Sequence, residues 1–91
     1  MFDFYLSNKF QKVLVKLSKK SPQMALAVNR KIKEIINRDH ISIMLYKNLR
    51  KDLKNLKRVH ITNWLVMTFE VDLENDCILF VDVGDRDKIY K

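Results

Sequence analysis

Arg58-Val59-His60-Ile61-Thr62 alternates polar and apolar residues. A strand points successive side chains to opposite faces, so Val59 and Ile61 fall toward a core while Arg58, His60 and Thr62 share the other side. A histidine side chain has an ordinary pKa of about 6.5 and can take or give a proton near neutral pH. An arginine beside it offers a planar fork that clamps an anion through two hydrogen bonds. Downstream, the polar tail Gly84-Asp85-Arg86-Asp87-Lys88-Ile89-Tyr90 carries a second arginine and a tyrosine. If the intervening strands pair in sequence order, that tail returns beside His60. His60, Arg58, Arg86 and Tyr90 then converge as a proton-transfer group, two anion clamps and a phenol able to stack or to donate a proton. Upstream, Lys47, Lys51, Lys54 and Lys57 belong to a cationic run that suits a polyanion.

Each of these residues also has a purely structural reading. A lone strand histidine is usually structural or solvated. Arg86 between Asp85 and Asp87 can form surface ion pairs, Tyr90 can lay its ring on the helices, and the lysines can line a solvated face. Trp64 reads as core rather than as a stacking platform, and Cys77 as a small core residue.

The elements that must position these groups follow from periodicity. Phe2 to Leu6 is a short apolar segment suited to an edge strand. Ser7 then offers an N-cap oxygen, and Phe10, Val13, Leu14 and Leu17 form the stripe of an amphipathic helix from about Asn8 to Lys19. Ser21-Pro22 restarts a helix, with serine as cap and proline at the first helical position. Ala25, Val28, Ile32, Ile35 and Ile36 continue it to about Asn37 or Arg38. Asp39 to Tyr46 is ambiguous. From Lys47 to Lys57, Leu49, Leu53 and Leu56 fit either a short helix or a basic loop that drops leucines onto the core. Trp64 to Asp72 and Cys77 to Val83 read as strands, joined by the turn Leu73-Glu74-Asn75-Asp76. The order predicts an α+β fold: an N-terminal strand, an antiparallel helical hairpin, then a mostly antiparallel three-strand sheet packed on the helices.

Composition narrows the class. Ninety-one residues make a single domain over 1–91, and 47% hydrophobic content with nine aromatics argues against disorder. No apolar run approaches the roughly 20 residues of a membrane helix, so no membrane partner is expected. Met1-Phe2-Asp3-Phe4 lacks the basic head of a secretory signal, and a lone cysteine fits a reducing cytoplasm. Residues 1–60 hold 15 Lys/Arg against 4 Asp/Glu, whereas residues 61–91 hold 3 against 7. The basic segment is large enough to attract nucleic acid. With one glycine there is no phosphate-cradling loop, and His40 and His60 lack the spacing of a metal pair, so neither cofactor nor metal is expected.

Lys57-Arg58-Val59-His60-Ile61, Trp64-Leu65-Val66-Met67-Thr68-Phe69-Glu70-Val71, Ile78 to Gly84 and Arg86-Asp87-Lys88-Ile89-Tyr90 together resemble the RelE/ParE toxin superfamily, closest to its YafQ-like branch. The likeness spans nearly the whole chain and is sharpest over 47–91. It implies a RelE-like microbial ribonuclease fold, with the 47–57 segment as loop and short strand. By position, His60 matches a catalytic histidine of the YafQ-like branch and Arg58 a substrate-binding cation. Lys47 falls where that branch has another histidine, Arg86 where it has its C-terminal histidine, and Tyr90 at the RelE tyrosine. Two departures stand out. Leu65 occupies the place of an arginine used on the scissile phosphate, and Asn63 stands where YafQ-like members carry aspartate.

The resemblance implies a toxin of a toxin–antitoxin pair that cuts messenger RNA in the ribosomal A site and stops translation in the cytoplasm. Its partners would be a cognate antitoxin, mRNA and ribosomal RNA. Metal-free cleavage drives the 2′-hydroxyl onto the neighbouring phosphorus and expels the 5′-oxygen, which needs a base, an acid and cations. His60 suits the first two roles, Arg58 and Arg86 the third, with Tyr90 at the edge and Lys47, Lys51, Lys54 and Lys57 on RNA. The rivals are a ParE-like poison of DNA gyrase or topoisomerase, and a catalytically decayed RNA-binding or antitoxin-sequestering module. Leu65 speaks for the poison and His60 against it.

Overall fold

The computed structural model describes residues 1–52 and 55–89. Its elements run β1 (Asp3–Leu6), α1 (Asn8–Lys20), α2 (Pro22–Ile36), α3 (His40–Ile43), β2 (Leu56–His60), β3 (Leu65–Asp72), β4 (Cys77–Asp85) and α4 (Arg86–Ile89). The strands form one sheet in the order β1-β4-β3-β2. The β2–β3 and β3–β4 pairs are antiparallel, and β1 joins β4 in parallel. This is the expected α+β arrangement, with the first strand completing the three-strand sheet. Among the described residues no helix is long and apolar enough to cross a membrane.

The helical hairpin forms where its spacing places it. Ser7 caps α1, its hydroxyl accepting from Phe10 N at 3.0 Å and donating to Val81 O at 2.6 Å. Phe10 on α1 and Ala25, Val28, Ile32, Ile35 and Ile36 on α2 are buried. Ser21 departs from its expected role. Its hydroxyl caps nothing, and the start of α2 is held instead by its carbonyl, which accepts from Met24 N and Ala25 N. The extended backbone that proline imposes on the preceding residue makes the reversal between the helices a single residue long.

The helices cover one face of the sheet, where Leu65, Met67, Phe69 and Val71 of β3 meet Ile78, Phe80 and Val83 of β4. Phe80 sits at the middle, its ring centroid 5.9 Å from both Phe10 and Phe69. A bulge makes this possible. Thr68 pairs with Asp82 but Phe69 with Phe80, leaving Val81 as an extra residue. The phase of β4 shifts there, so Val83 faces the helices although it lies three residues after Phe80.

The ambiguous 39–46 segment is α3 with a capping box, in which Asp39 accepts from the Ile41 and Ser42 amides and Ser42 Oγ accepts from Asp39 N. Beyond it, the Tyr46 hydroxyl donates to Glu34 at 2.9 Å and accepts from Arg38 Nε at 3.3 Å. That bond and neighbouring Lys31 hold the Glu34 carboxyl below its usual range. The described part of the 47–57 segment is the loop, not the helix. Arg58 N donates to Lys47 O and Leu49 N to Leu56 O, laying 47–49 along β2 as a fringe of the sheet.

Candidate active site on the open sheet face

Register decides which side chains meet. Lys57 pairs with Phe69 and Val59 with Met67, so these share the helix-covered face; Arg58 pairs with Thr68 and His60 with Val66 on the other. Continuing onto β4, Thr68 pairs with Asp82 and Val66 with Gly84. Two rows therefore cross the face opposite the hairpin, Arg58–Thr68–Asp82 and His60–Val66–Gly84, with Thr68 and Val66 themselves buried. A third begins where Arg86 N donates to Trp64 O at 2.8 Å, extending the β3–β4 ladder by one pair.

His60 is exposed and Arg58 half-buried on the face opposite the hairpin, as the alternation predicts. Two residues apart on a strand, their Cα atoms lie about 6.8 Å apart along it. Arg58 is steadied by its neighbour, its Nε donating to Asn48 O at 3.3 Å. Arg86 is exposed at the start of α4, two strands from His60 and one row further on. Strand geometry sets the two Cα atoms roughly 12 Å apart, a span that two side chains can close around a phosphodiester. Among the described residues no ion pair joins Arg86 to Asp85 or Asp87, and Asp85 instead accepts Asp87 N at 2.9 Å. Lys47 is exposed on the fringe beside Arg58, and Lys51 is exposed in the turn that follows the fringe. Tyr90 and Lys54 lie outside the described residues.

Four expectations are corrected here. Lys57 does not face an RNA. It is 3% exposed, and its ammonium donates to Asn48 Oδ1 at 2.6 Å and to Met44 O at 3.3 Å. Strand alternation forces this, because Lys57 shares the phase of Val59. Thr62 is not a strand residue of the site. The strand ends at His60, and the Thr62 hydroxyl accepts from Leu65 N at 3.1 Å and Trp64 N at 3.4 Å to hold the β2–β3 turn. Trp64, expected in the core, is 47% exposed in that turn. Cys77 likewise pairs with Asp72 and Asp3 on the open face, half-buried, and burial together with those carboxylates pushes its thiol pKa up.

The departure at Leu65 takes on a different meaning. Leu65 is buried under the helices, so an arginine at 65 in this register would not reach the open face. The residue paired with His60 on the opposite phase is Val66, and it is wholly buried as well. Two contributors carry no signal of their own in the sequence. Asn48 serves both Arg58 and Lys57, yet reads as one polar residue in a cationic run. Lys9 forms a 3.0 Å ion pair with Asp82 at the end of the Arg58 row.

Burial pulls the Lys57 ammonium below its usual 10.5, because its charged form loses water. The folded chain then binds fewer protons than the unfolded chain just below pH 10.5, so stability should rise with pH through that window. Lys57→Met removes the titrating group and should flatten the rise in urea midpoints. An undiminished rise in that variant would locate the titration elsewhere.

The comparisons agree with this fold. Over 91 residues the chain is 38% identical to the protein named "Putative toxin RelE4" of Methanocaldococcus jannaschii, covering all of this chain and 93% of that one. It is 39% identical over 85 residues to an uncharacterized protein of Methanosarcina mazei, covering 93% and 90% respectively. No protein-family model matches. Among solved structures, a metal-bound toxin from Helicobacter pylori superposes with a TM-score of 0.78 at 19% identity, over 97% of this chain and 98% of that one. A chain of the E.coli DinJ-YafQ complex superposes with 0.74 at 16% identity over both full chains. The RelBE2 toxin-antitoxin complex from Mycobacterium tuberculosis contributes a chain with 0.71 at 18% identity, over 93% and 98%. By its sequence relatives and its fold, the chain belongs to the RelE superfamily of toxins from toxin–antitoxin systems.

Proposed function

We propose that this toxin is a ribosome-dependent endoribonuclease that cuts translated mRNA in the A site, inhibiting translation in the cytoplasm until an antitoxin binds it. The observation that carries the reading is the exposed His60 beside Arg58 on the sheet face opposite the helical hairpin. In the step, the 2′-oxygen bonds to phosphorus and the bond from phosphorus to the 5′-oxygen breaks. His60 takes the proton from the 2′-hydroxyl or returns one to the leaving oxygen. Arg58 and Arg86 offset the charge that builds on the phosphoryl oxygens. The ribosome supplies the remaining alignment, so few protein groups suffice.

Primer extension on translated mRNA tests the reading, with cuts within A-site codons as the expected result. No cuts, with DNA-damage signalling in their place, would overturn it in favour of a topoisomerase poison. Lys47 and Lys51 are assigned to ribosomal RNA. Lys51→Ala should therefore weaken ribosome binding and reduce its salt slope by about 0.7–0.9 for each phosphate it no longer neutralises, with the cleavage rate at saturation unchanged. A slower rate at saturation would move Lys51 into the chemistry.

The antitoxin is expected to be acidic or to present an amphipathic helix, as the net charge of +7 requires complementary charge. Co-expression should restore growth and yield a stable complex. A chain that is harmless alone and binds no product of an adjacent gene would count against the assignment.

A further inference from the structure

We propose that Trp64 is a nucleobase-stacking platform at the edge of the candidate site, holding the base of a nucleotide whose phosphate lies between His60 and Arg86. The inference rests on the ribonuclease reading and adds to it a subsite for the base. Trp64 lies opposite Arg86, with Arg86 N on Trp64 O at 2.8 Å, one row beyond His60–Val66–Gly84. Counting back from Val66, position 64 falls in the open-face phase of β3. The turn carrying it is held by the Thr62 hydroxyl on Leu65 N and Trp64 N and by Ile61 N on Leu65 O at 2.8 Å. The indole is thus presented from a fixed backbone, and with two rotatable bonds it loses little freedom when a ring lies on it.

Gly84 supplies the room. Its backbone is not in the left-handed region, so no turn geometry demands glycine there. A Cβ added to it would meet nothing within 4 Å among the described residues. The row beside Trp64 therefore has a low floor at half-buried Gly84, with Val66 wholly buried next to it, His60 at one end and Arg86 diagonally across. A flat ring against the indole, with its phosphate toward the cations, matches that shape and charge. A tryptophan serving a protein partner would be expected among apolar neighbours. The most exposed branched apolar side chains, Ile41 and Leu45, lie instead on and just after α3. Stacking accepts any base, so this subsite adds affinity and position rather than sequence selection.

The test uses the full chain and ribosomes programmed with an A-site codon carrying 2′-deoxyribose, which cannot be cut, in intact and singly abasic forms. Trp64→Ala should weaken binding to the intact codon about 5- to 150-fold, and Trp64→Phe should recover most of the loss. One abasic position should cost wild type a similar factor and cost Trp64→Ala nothing more, as two changes to one stacked pair are not additive. Gly84→Leu, which fills the floor without straining the backbone, should reproduce the loss in a chain that keeps its indole. Additive losses from every abasic position, or unchanged binding by Trp64→Ala, would overturn the stack while A-site cleavage by wild type leaves the ribonuclease reading standing. Wild type that neither binds nor cuts programmed ribosomes removes both. Normal ribosome binding by Trp64→Ala with loss of the antitoxin complex would assign the indole to a protein interface.

Discussion

His60→Ala should cleave translated mRNA about 10²–10⁴-fold more slowly than wild type at saturating ribosome concentration, the range typical of losing a general acid or base. Binding should stay intact, because His60 is one exposed side chain on a strand whose backbone pairing to Val66 does not depend on it. The loss should therefore fall on the rate and not on the concentration needed for half-saturation. His60→Gln keeps a polar side chain but cannot transfer a proton at neutral pH, so it should be nearly as slow. Arg58→Ala should behave differently, lowering the rate and weakening binding together, because a phosphate clamp acts before and during the step. Primer extension with matched amounts of each variant separates these cases. Equal A-site cuts by wild type and His60→Ala would end the histidine assignment and leave the cations as the working groups.

Periodicity carries most of this fold. The stripe from Phe10 to Leu17 and the buried set from Ala25 to Ile36 need only helical spacing, and Arg58-x-His60 needs only alternation. Lys57 defies its composition for the same reason that His60 obeys its pattern. A lysine in a cationic run suggests solvent, yet its strand phase turns it inward, and its bonds to Asn48 Oδ1 and Met44 O make that burial tolerable. Trp64 departs in the opposite sense. Composition favours a buried indole, but the strand ends at His60 and the intervening turn points Trp64 outward. Neither the bulge at Val81 nor the bonds to Asn48 leave a pattern in the chain, since both arise from pairing between segments distant in sequence. The placement of Arg86 one row beyond His60 depends on topology, and the short turns joining β2, β3 and β4 make that topology legible.

Phe80→Ala should be the most destabilising single change outside the site. Phe80 is wholly buried, with rings of Phe4, Phe10 and Phe69 about it at centroid distances of 6.0, 5.9 and 5.9 Å. It joins β1, α1, β3 and β4 at one point, so no single element can collapse into the space left behind. Truncating a buried phenylalanine costs about 3–5 kcal/mol. A domain of this length has a stability of roughly 5–14 kcal/mol. At about 4–8 °C per kcal/mol, the melting temperature should fall by about 12–40 °C. Leu79→Ala, the next residue back on the outward phase of β4, is the control. That side chain is 38% exposed and should cost under about 1 kcal/mol. Thermal unfolding followed by circular dichroism compares the two, and equal small shifts would mean that the aromatic cluster is not the centre of the core. Phe80 faces the helices and touches none of the proposed working groups. At a temperature where Phe80→Ala still folds, its cleavage rate per folded molecule should match wild type, whereas His60→Ala stays slow at every temperature. The two variants separate what holds the sheet together from what the sheet presents.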